Sequence, residues 1–171
     1  AAVSVAIKLT SHGSVLFKQR RKGFNGKEFT IYKFRTMTVA EDGPTIQQAR
    51  LGDERITRLG AILRRTSIDE LPQLLNVIRG QMSLVGPRPH ALAHDNEYSR
   101  RIAKYAYRHH VKPGITGWAQ VNGLRGATKQ LEFMERRVEY DLWYINNWSF
   151  WLDLRILAKT CLEVPRGDNA Y

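Results

Sequence analysis

The sequence is marked first by features that it lacks. Its single cysteine, Cys161, cannot form a disulfide within the chain, which indicates a reducing compartment. No uninterrupted stretch approaches the ~20 apolar residues of a membrane-spanning helix. Neither a Walker A sequence nor the pattern Gly-x-Gly-x-x-Gly is present, and there are no internal repeats. These absences exclude an internal disulfide framework, an ordinary membrane-spanning bundle and the common glycine-rich nucleotide-binding motifs.

Acidic side chains are also scarce. The 171 residues hold 16 acidic and 27 basic side chains, a formal net charge of +11. Most of this excess, +8, lies in residues 1–90, which hold 15 basic and 7 acidic side chains. At 43% hydrophobic residues the chain is too apolar to be disordered. The charge balance therefore indicates an anionic partner: nucleic acid, an anionic membrane surface or a polyphosphate substrate.

Local patterns predict an α+β fold that is rich in helices. β-Branched and aromatic residues on both sides of Asn25-Gly26 predict a short basic β-hairpin over residues 15–35. Apolar residues at helical spacing predict amphipathic helices over residues 91–110 and from Leu131 to Ile145. We further predict helices over 55–65, 67–80 and 148–163, a polar loop or short helix over 41–54, and a glycine-rich loop over 111–127. Together these elements predict a single domain over residues 1–171.

Both ends of the chain are apolar. Residues 1–9 begin in an apolar run without a polar N-cap, so we expect them to be the exit of a hydrophobic element upstream. Residues 148–163 are apolar over most of a helix circumference, with arginine and lysine among tryptophan, phenylalanine and leucine. This composition suits a helix that lies in a membrane interface, and it also suits a helix buried in the core. The pattern alone leaves both alternatives open.

Two adjacent carboxylates, Asp69 and Glu70, stand among arginines. Adjacent helical residues point about 100° apart, so the two can perform different tasks in one pocket. An ionised aspartate can attack phosphorus while its neighbour holds Mg²⁺. The run from Ser67 to Glu70 is also a capping box, so a structural role at a helix N-terminus is the competing interpretation. Pro72 argues for Asp69 rather than Ser67 as the cap, since a later cap avoids the loss of a helical hydrogen bond.

Three basic side chains are candidates for phosphate binding. Two prolines restrict the backbone around Arg88 in Pro87-Arg88-Pro89, an arrangement that suits bidentate phosphate recognition. Lys33 and Arg35 share one face of the second predicted strand and can clamp a diphosphate. A solvated turn and a solvated strand face are the competing interpretations. Zinc at His90 and His94 is a minor alternative, because the glutamate of metalloprotease motifs is absent.

The longer motifs of the sequence, taken in order, resemble a known family. They lie at residues 32–37 (YKFRTM), 63–74 (LRRTSIDELPQL), 82–89 (MSLVGPRP), 111–123 (VKPGITGWAQVNG), 140–149 (YDLWYINNWS) and 151–153 (WLD). The chain resembles the catalytic domain of bacterial polyprenyl-phosphate glycosyl-1-phosphate transferases, the initiating sugar transferases of exopolysaccharide and O-antigen assembly. The resemblance covers nearly the whole chain, and several motifs exceed eight residues.

This resemblance implies a two-step transfer. Asp69 would attack the sugar-bearing phosphate of a UDP-sugar, expel UMP and carry a covalent phosphosugar. Undecaprenyl phosphate would then attack that intermediate to give a polyprenyl-diphosphate sugar. By the same resemblance Glu70 would hold Mg²⁺. Residues 82–94 look most like the branch of the family that transfers glucose 1-phosphate, so UDP-glucose is the expected donor.

The resemblance also implies the surroundings of the site. Arg88 would bind phosphate, and Lys33, Arg35 and Asp141 match motif positions near the site, which makes them candidate substrate-binding residues. The enzyme would be monotopic, with a re-entrant membrane hairpin before this region. It would then work on an anionic membrane surface at the cytoplasmic face of the bacterial inner membrane.

Two other functional classes compete with this interpretation. The first is a basic nucleic-acid-binding module that uses the hairpin and residues 55–65 and has no enzymatic activity. The second is an inactive scaffold with the same fold on a membrane surface. We predict that nucleic acid is not a partner, and the sequence leaves a homodimer open.

Overall fold

The computed structural model describes residues 1–38, 49, 52–126 and 131–166. The predicted loop or short helix at 41–54 lies mostly outside the described residues. Within the described ranges, no helix combines the length and the apolar character needed to cross a membrane.

Helices predominate over strands, which confirms the helix-rich α+β class. The α-helices are α1 (Ala2–Thr10), α2 (Arg58–Arg65), α3 (Leu74–Ile78), α4 (Leu92–Arg101), α5 (Leu131–Asn146) and α6 (Phe150–Arg166). The strands are β1 (Leu16–Lys22), β2 (Glu28–Phe34), β3 (Ser83–Val85) and β4 (Gly114–Thr116). Short 3₁₀ helices cover Phe24–Gly26, Ile68–Gln73, Tyr105–His110 and Gln120–Asn122.

The predicted basic hairpin is confirmed. β1 and β2 pair antiparallel, with Leu16 opposite Phe34 and Lys22 opposite Glu28. At the turn, Asn25 has φ 53° and Gly26 has φ 70°, the left-handed conformation that this residue pair adopts readily. Two buried side chains of β2, Phe29 and Ile31, lie on one face of the strand, and Lys33 is the next residue on that face.

That face of β2 is not a solvated surface. Phe29 and Ile31 are buried with Met82 in one apolar cluster. Because strand residues alternate between faces, Lys33 follows them on the same side, and its side chain is only 18% exposed. The competing interpretation of a solvated strand face is therefore wrong for Lys33.

The predicted capping box does not form. Ser67 has φ 56° and ψ 14°, whereas an N-cap residue normally has an extended backbone, and its hydroxyl makes no cap hydrogen bond. The segment that follows is a 3₁₀ helix over Ile68–Gln73, and α3 begins only at Leu74. The predicted helix over 67–80 is thus divided, with Pro72, which lacks a backbone donor, inside its 3₁₀ part.

The glycine-rich segment 111–127, predicted as a loop, contains a short strand. β4 pairs parallel with β3, with Ser83 opposite Gly114. A Cβ atom on Gly114 would lie 2.1 Å from the backbone nitrogen of Gly86, so only glycine allows the two backbones to approach this closely. The pairing was missed because a strand of three residues carries too little periodicity to be recognised.

The apolar face predicted over 91–110 is buried as expected, although the helix is interrupted. α4 ends where Ile102 adopts an extended backbone, and a 3₁₀ helix resumes at Tyr105. Tyr98, Ile102 and Tyr105 pack against Met134 and Val138 of α5 in one core cluster. The prediction of the helix from Leu131 to Ile145 is confirmed by α5.

α6 confirms the last predicted helix and exposes most of its large apolar side chains. Ile156 is fully buried against Val85, Val121 and Tyr144. By contrast, the exposed fractions of Phe150, Trp151 and Leu162 range from 63% to 76%, and Trp148, just before the helix, is 61% exposed. A helix of the core would bury these side chains, so that alternative is wrong for this face, whereas the face that carries Ile156 packs on the core.

Candidate active site

The two adjacent carboxylates lie at the centre of a cluster of cations. Asp69 and Glu70 occupy the 3₁₀ helix between α2 and α3, which packs on β2, and each residue is 8% exposed. The left-handed Ser67 just before them is held by Arg125, which donates a hydrogen bond of 2.6 Å to its hydroxyl. A non-glycine residue in this conformation costs free energy, and such strain is concentrated at functional sites.

Glu70 is bound on both of its oxygens. Oε1 accepts hydrogen bonds from Lys33 Nζ at 2.8 Å and from Arg88 Nη2, and Oε2 accepts from Arg88 Nη1 at 3.1 Å. Burial alone would raise the pKa of Glu70, but the charges and hydrogen bonds of Arg88 and Lys33 outweigh burial and hold the pKa well below its usual value. Glu70 is therefore ionised and fixes both cations in place.

Asp69 has a different environment. Among the described residues, none donates a hydrogen bond to its carboxylate. Burial raises the pKa of Asp69 above its usual value, with Lys33 opposing the shift and Glu70 adding to it. The lone pairs of Asp69 are free to attack an electrophile, and the surrounding cations favour the ionised form that such an attack needs.

Two further arginines face the carboxylates. Arg64 on α2 and Arg125 in the segment before α5 interact electrostatically with both Asp69 and Glu70, and burial lowers the pKa of each guanidinium. With Lys33 and Arg88, four cationic side chains of the described chain surround two carboxylates. This excess of positive charge around two largely buried carboxylates is suited to binding a phosphate or diphosphate.

Neither Arg64 nor Arg125 was predicted as a site residue. Arg64 lies five residues before Asp69. Its closeness to the carboxylates in the sequence was the one signal that could have identified it. Arg125 stands between Leu124 and Gly126 in a glycine-rich segment, where the only sequence signal is an arginine on a flexible backbone. Such a signal is common in loops, so it does not single out this arginine.

The segment Pro87-Arg88-Pro89 is held through three consecutive carbonyl oxygens. The carbonyl of Pro87 accepts from the backbone N–H of Gly114 at 3.0 Å. Those of Arg88 and Pro89 accept from side chains, Arg108 Nη2 at 2.8 Å and Arg21 Nη1 at 3.0 Å respectively. Prolines offer no N–H for regular pairing, so these three donors fix the backbone from which Arg88 reaches Glu70.

The structure does not bring Arg35 to the carboxylates. It follows the last residue of β2, and its Nη2 donates to the carbonyl oxygen and the hydroxyl of Ser11, each at 2.8 Å, near the end of α1. The predicted pair of Lys33 and Arg35 therefore separates, because only Lys33 contacts Glu70. The role of Arg35 in substrate binding stays a prediction.

Asp141 lies behind the site. It is on α5, is 2% exposed, and accepts a hydrogen bond of 2.7 Å from Arg108 Nε. Burial raises its pKa, although Arg108 opposes the shift. Asp141 thus contacts the support of the Pro87-Arg88-Pro89 segment, and its predicted contact with substrate stays a prediction.

The histidines form no metal cluster in the described part of the chain. His90 Nδ1 lies 2.6 Å from the hydroxyl of Tyr105, and burial together with nearby arginines holds the pKa of His90 well below its usual value. No group of three or more His, Cys, Asp or Glu side chains that could hold a metal occurs among the described residues. His90 is therefore a neutral histidine of the polar core.

Comparison with known proteins places the chain among sugar transferases. The family described as "Bacterial sugar transferase" matches residues 1–167. A UDP-glucose:undecaprenyl-phosphate glucose-1-phosphate transferase of Xanthomonas campestris pv. campestris is 55% identical over 171 residues, which are 99% of this chain and 35% of that protein. A protein of the same name from Caulobacter vibrioides is 56% identical over 98% of this chain and 63% of its own length.

A third relative carries a different sugar in its name. The UDP-N-acetylgalactosamine-undecaprenyl-phosphate N-acetylgalactosaminephosphotransferase of Aeromonas hydrophila is 44% identical over 99% of this chain and 40% of its own length. The chain thus spans between about a third and two thirds of these relatives. The match to nearly every residue confirms the resemblance drawn from the motifs, and the chain belongs to the bacterial sugar transferase family.

Proposed function

We propose that this chain is the catalytic domain of an enzyme that transfers a sugar 1-phosphate from a UDP-sugar to undecaprenyl phosphate and releases UMP. The observation that carries the proposal is the contrast within the dyad: Asp69 has free lone pairs, whereas Glu70 is fixed between Lys33 and Arg88. The names of relatives at 55% and 56% identity support glucose as the first candidate sugar.

The first step forms a bond between Asp69 and phosphorus. An oxygen of the carboxylate attacks the sugar-bearing phosphorus, the bond from that phosphorus to the bridging oxygen breaks, and UMP leaves with the bonding electrons. Lys33, Arg64, Arg88 and Arg125 offset the charge of the diphosphate and stabilise the charge that moves to UMP. The phosphosugar remains on Asp69 as an acyl phosphate.

The second step regenerates the carboxylate. A phosphate oxygen of undecaprenyl phosphate attacks the same phosphorus, and the bond to Asp69 breaks. The same cations that released UMP now hold the lipid phosphate, so one anion site serves both substrates in turn. A covalent intermediate allows a water-soluble donor and a lipid acceptor to use one site at different times.

Mg²⁺ belongs to this proposal, and the residues fit it. Mg²⁺ takes one or two protein carboxylates and completes its shell with water and substrate phosphate, and the dyad offers two carboxylates at one pocket. Glu70 would hold the ion by exchanging one of its bonds to Lys33 or Arg88. When bound, the ion would neutralise part of the diphosphate charge.

The function is tested by a screen of radiolabelled UDP-sugars with undecaprenyl phosphate and Mg²⁺, using membranes that contain the full-length protein. We expect one donor, with UDP-glucose first, to give a labelled polyprenyl-diphosphate sugar and an equal amount of UMP. Absence of product with every donor, together with salt-dependent nucleic-acid binding that ignores Asp69, would favour the basic binding module instead.

We further propose that α6 lies on an anionic membrane surface, at the cytoplasmic face of the bacterial inner membrane. Its exposed aromatic side chains, led by Trp151 at 76% exposure, form an apolar face on the surface of the protein. Arg155 and Lys159 of the same helix lie over the ring of Trp118, with the cationic groups 5.9 Å and 5.1 Å from its centre. Positive charge thus stands beside the exposed aromatic face.

Vesicle binding tests this orientation. Because burying a large aromatic side chain is worth about 1.5–3 kcal/mol, we expect Trp151→Gln to weaken binding of the 171-residue chain to phosphatidylglycerol vesicles about tenfold or more. Tyr107→Gln is the control, since Tyr107 is an exposed aromatic residue on a different element. Equal binding by wild type and Trp151→Gln would exclude α6 as the contact.

A further inference from the structure

We propose that Arg108 and Asp141 are a positioning pair that holds Arg88 in register with Glu70 from behind the site. The inference rests on the proposed function, because it assigns the pair to the site that binds the donor diphosphate. Among the described residues, neither makes a hydrogen bond or an ion pair with Glu70 or Asp69. They act through the backbone of Arg88.

Arg108 contacts Arg88 directly, at its backbone. Arg108 Nη2 donates to the carbonyl oxygen of Arg88 at 2.8 Å, and the guanidinium of Arg88 binds both oxygens of Glu70. Arg108 therefore holds the backbone of Arg88, while the side chain of Arg88 binds Glu70. A bidentate hydrogen bond depends strongly on geometry, so a shift of the Arg88 backbone would break it.

Arg108 is in turn anchored by Asp141. Its Nε donates to Asp141 Oδ2 at 2.7 Å, and the two residues are 3% and 2% exposed. Nη1 lies 3.1 Å from His90 Nδ1, a ring kept neutral by burial and by the surrounding arginines. Asp141 on Nε and the Arg88 carbonyl on Nη2 thus hold two edges of the Arg108 guanidinium, which fixes its orientation toward Arg88.

A charged pair offers a geometric advantage at this position. A buried ion pair contributes little net stability compared with apolar packing of similar volume. A planar guanidinium, however, can bind a carboxylate on one edge and a carbonyl on another at the same time, which an apolar side chain cannot do. The pair therefore provides orientation of the Pro87-Arg88-Pro89 segment rather than stability.

Helix α5, which carries Asp141, also holds the backbone next to Arg125. Arg137, one helical turn before Asp141 on α5, donates to the carbonyl oxygen of Gly126 at 2.9 Å. Gly126 follows Arg125, whose guanidinium faces the carboxylates and holds Ser67. α5 thus holds the backbone beside two of the site's four cations.

The burial of Asp141 separates positioning from direct substrate binding. A side chain that is 2% exposed and bonded to Arg108 has no surface on which a nucleotide or a sugar can lie. Its motif position near the site, noted from the sequence, is explained by its indirect connection to Arg88. Asp141 is accordingly a positioning residue and not a catalytic one.

The test is a double-mutant cycle in the full-length protein with UDP-glucose as donor. In Arg108→Lys, the ammonium group lacks the planar fork of the guanidinium and cannot hold Asp141 and the Arg88 carbonyl in the same fixed geometry. We expect Arg108→Lys to slow the first release of UMP about 10²-fold, the cost of a misplacement of about 1 Å. When Arg88 is already alanine, we expect the same change to cost less than about threefold, because the two act as one unit.

Further variants and readouts complete the cycle. Asp141→Asn should behave as Arg108→Lys does, and Arg101→Lys is the matched control because Arg101 forms an exposed ion pair with Glu97 on α4. Calorimetry measures the affinity for UDP and needs no turnover. Arg108→Lys should weaken UDP binding when Arg88 is present, and it should have little effect when Arg88 is alanine. Thermal unfolding of each variant separates misplacement from loss of the fold.

Each outcome decides between positioning and structure. Equal fold-losses with and without the Arg88 side chain, or unfolding of both Arg108→Lys and Asp141→Asn, would assign the pair to the fold alone and overturn the proposal. If the wild-type protein binds UDP but releases no UMP from any UDP-sugar, the proposed function fails and the cycle is judged from UDP binding. If it does neither, both are rejected.

Discussion

Asp69→Asn is expected to abolish UMP release while the protein remains folded. The asparagine amide has nearly the same shape but is a very poor nucleophile, so no acyl phosphate forms and the proposed first step is lost. Removal of a nucleophile lowers turnover on the order of 10⁴-fold or more. UMP release by the full-length enzyme, together with mass spectrometry of trapped protein, measures the loss of turnover and of the phosphosugar adduct.

Asp153→Asn is the control for this prediction. Asp153 lies on α6 and accepts hydrogen bonds from Tyr144 and Trp148, away from the dyad, so its variant should retain activity near that of wild type. Normal turnover by Asp69→Asn, or an adduct on another residue, would contradict the assignment of Asp69 as the nucleophile.

The same substitution should make the protein more stable at neutral pH. The folded-state pKa of Asp69 is raised, mainly by burial, so the folded protein holds the proton more tightly than the unfolded chain does. Ionisation of Asp69 therefore costs stability as the pH rises through the raised pKa. We expect Tm at pH 7 to increase in Asp69→Asn, by about 2–4 °C for each kcal/mol regained, and the difference to vanish below the ordinary aspartate pKa of 3.8.

Glu70→Gln is expected to have the opposite effect on stability and also to reduce activity. The change leaves Lys33 and Arg88 without their carboxylate in a buried site. Removing one partner of a buried ion pair typically costs about 3–5 kcal/mol, because the remaining charge is left uncompensated. Urea unfolding at pH 7 measures the free energy of unfolding, and UMP release measures the accompanying loss of activity.

Glu97→Gln is the matched control. Its ion pair with Arg101, with N and O 3.0 Å apart, is about half exposed on both sides, and exposed pairs of this spacing contribute only about 0.3–0.5 kcal/mol. An equal loss of stability in Glu97→Gln and Glu70→Gln would contradict the buried network around the dyad.

The pH dependence follows from the sign of the shift at Glu70. Its folded-state pKa is lowered well below the ordinary value of 4.5, so the stability that Glu70 contributes is fully present above pH 4.5. That contribution is lost as the pH falls through the lowered pKa. The difference in stability between wild type and Glu70→Gln should accordingly be constant at neutral pH and shrink in acid.

Much of the local structure was predictable because it depends on neighbouring residues. Asn25-Gly26 specifies a tight hairpin turn, and the spacing of Met134 and Val138 specifies the buried face of α5. The capping box at Ser67 was the local pattern that misled. Its backbone is left-handed, and its hydroxyl bonds to Arg125, 58 residues away. A long-range contact of this kind leaves no trace in the local pattern.

The sequence by itself determined the chemistry that this chain can offer and the family to which it belongs. The dyad of Asp69 and Glu70 and the rigid segment around Arg88 are local features, and their residue types and order already indicate phosphoryl chemistry. Only the tertiary structure decided which cation meets which carboxylate. Lys33 donates a hydrogen bond to Glu70, 37 residues away in the sequence. Arg35, two positions further along the chain, donates to Ser11 instead.

The tertiary structure also gave Asp141 a partner that its motif does not indicate. Its partner Arg108 is 33 residues away, on a 3₁₀ helix that packs against α5. Pairing between distant side chains depends on how elements pack together, and that packing is a property of the whole core rather than of any motif. The sequence therefore supplied the candidate reactive groups, and the fold determined which side chain each of them contacts.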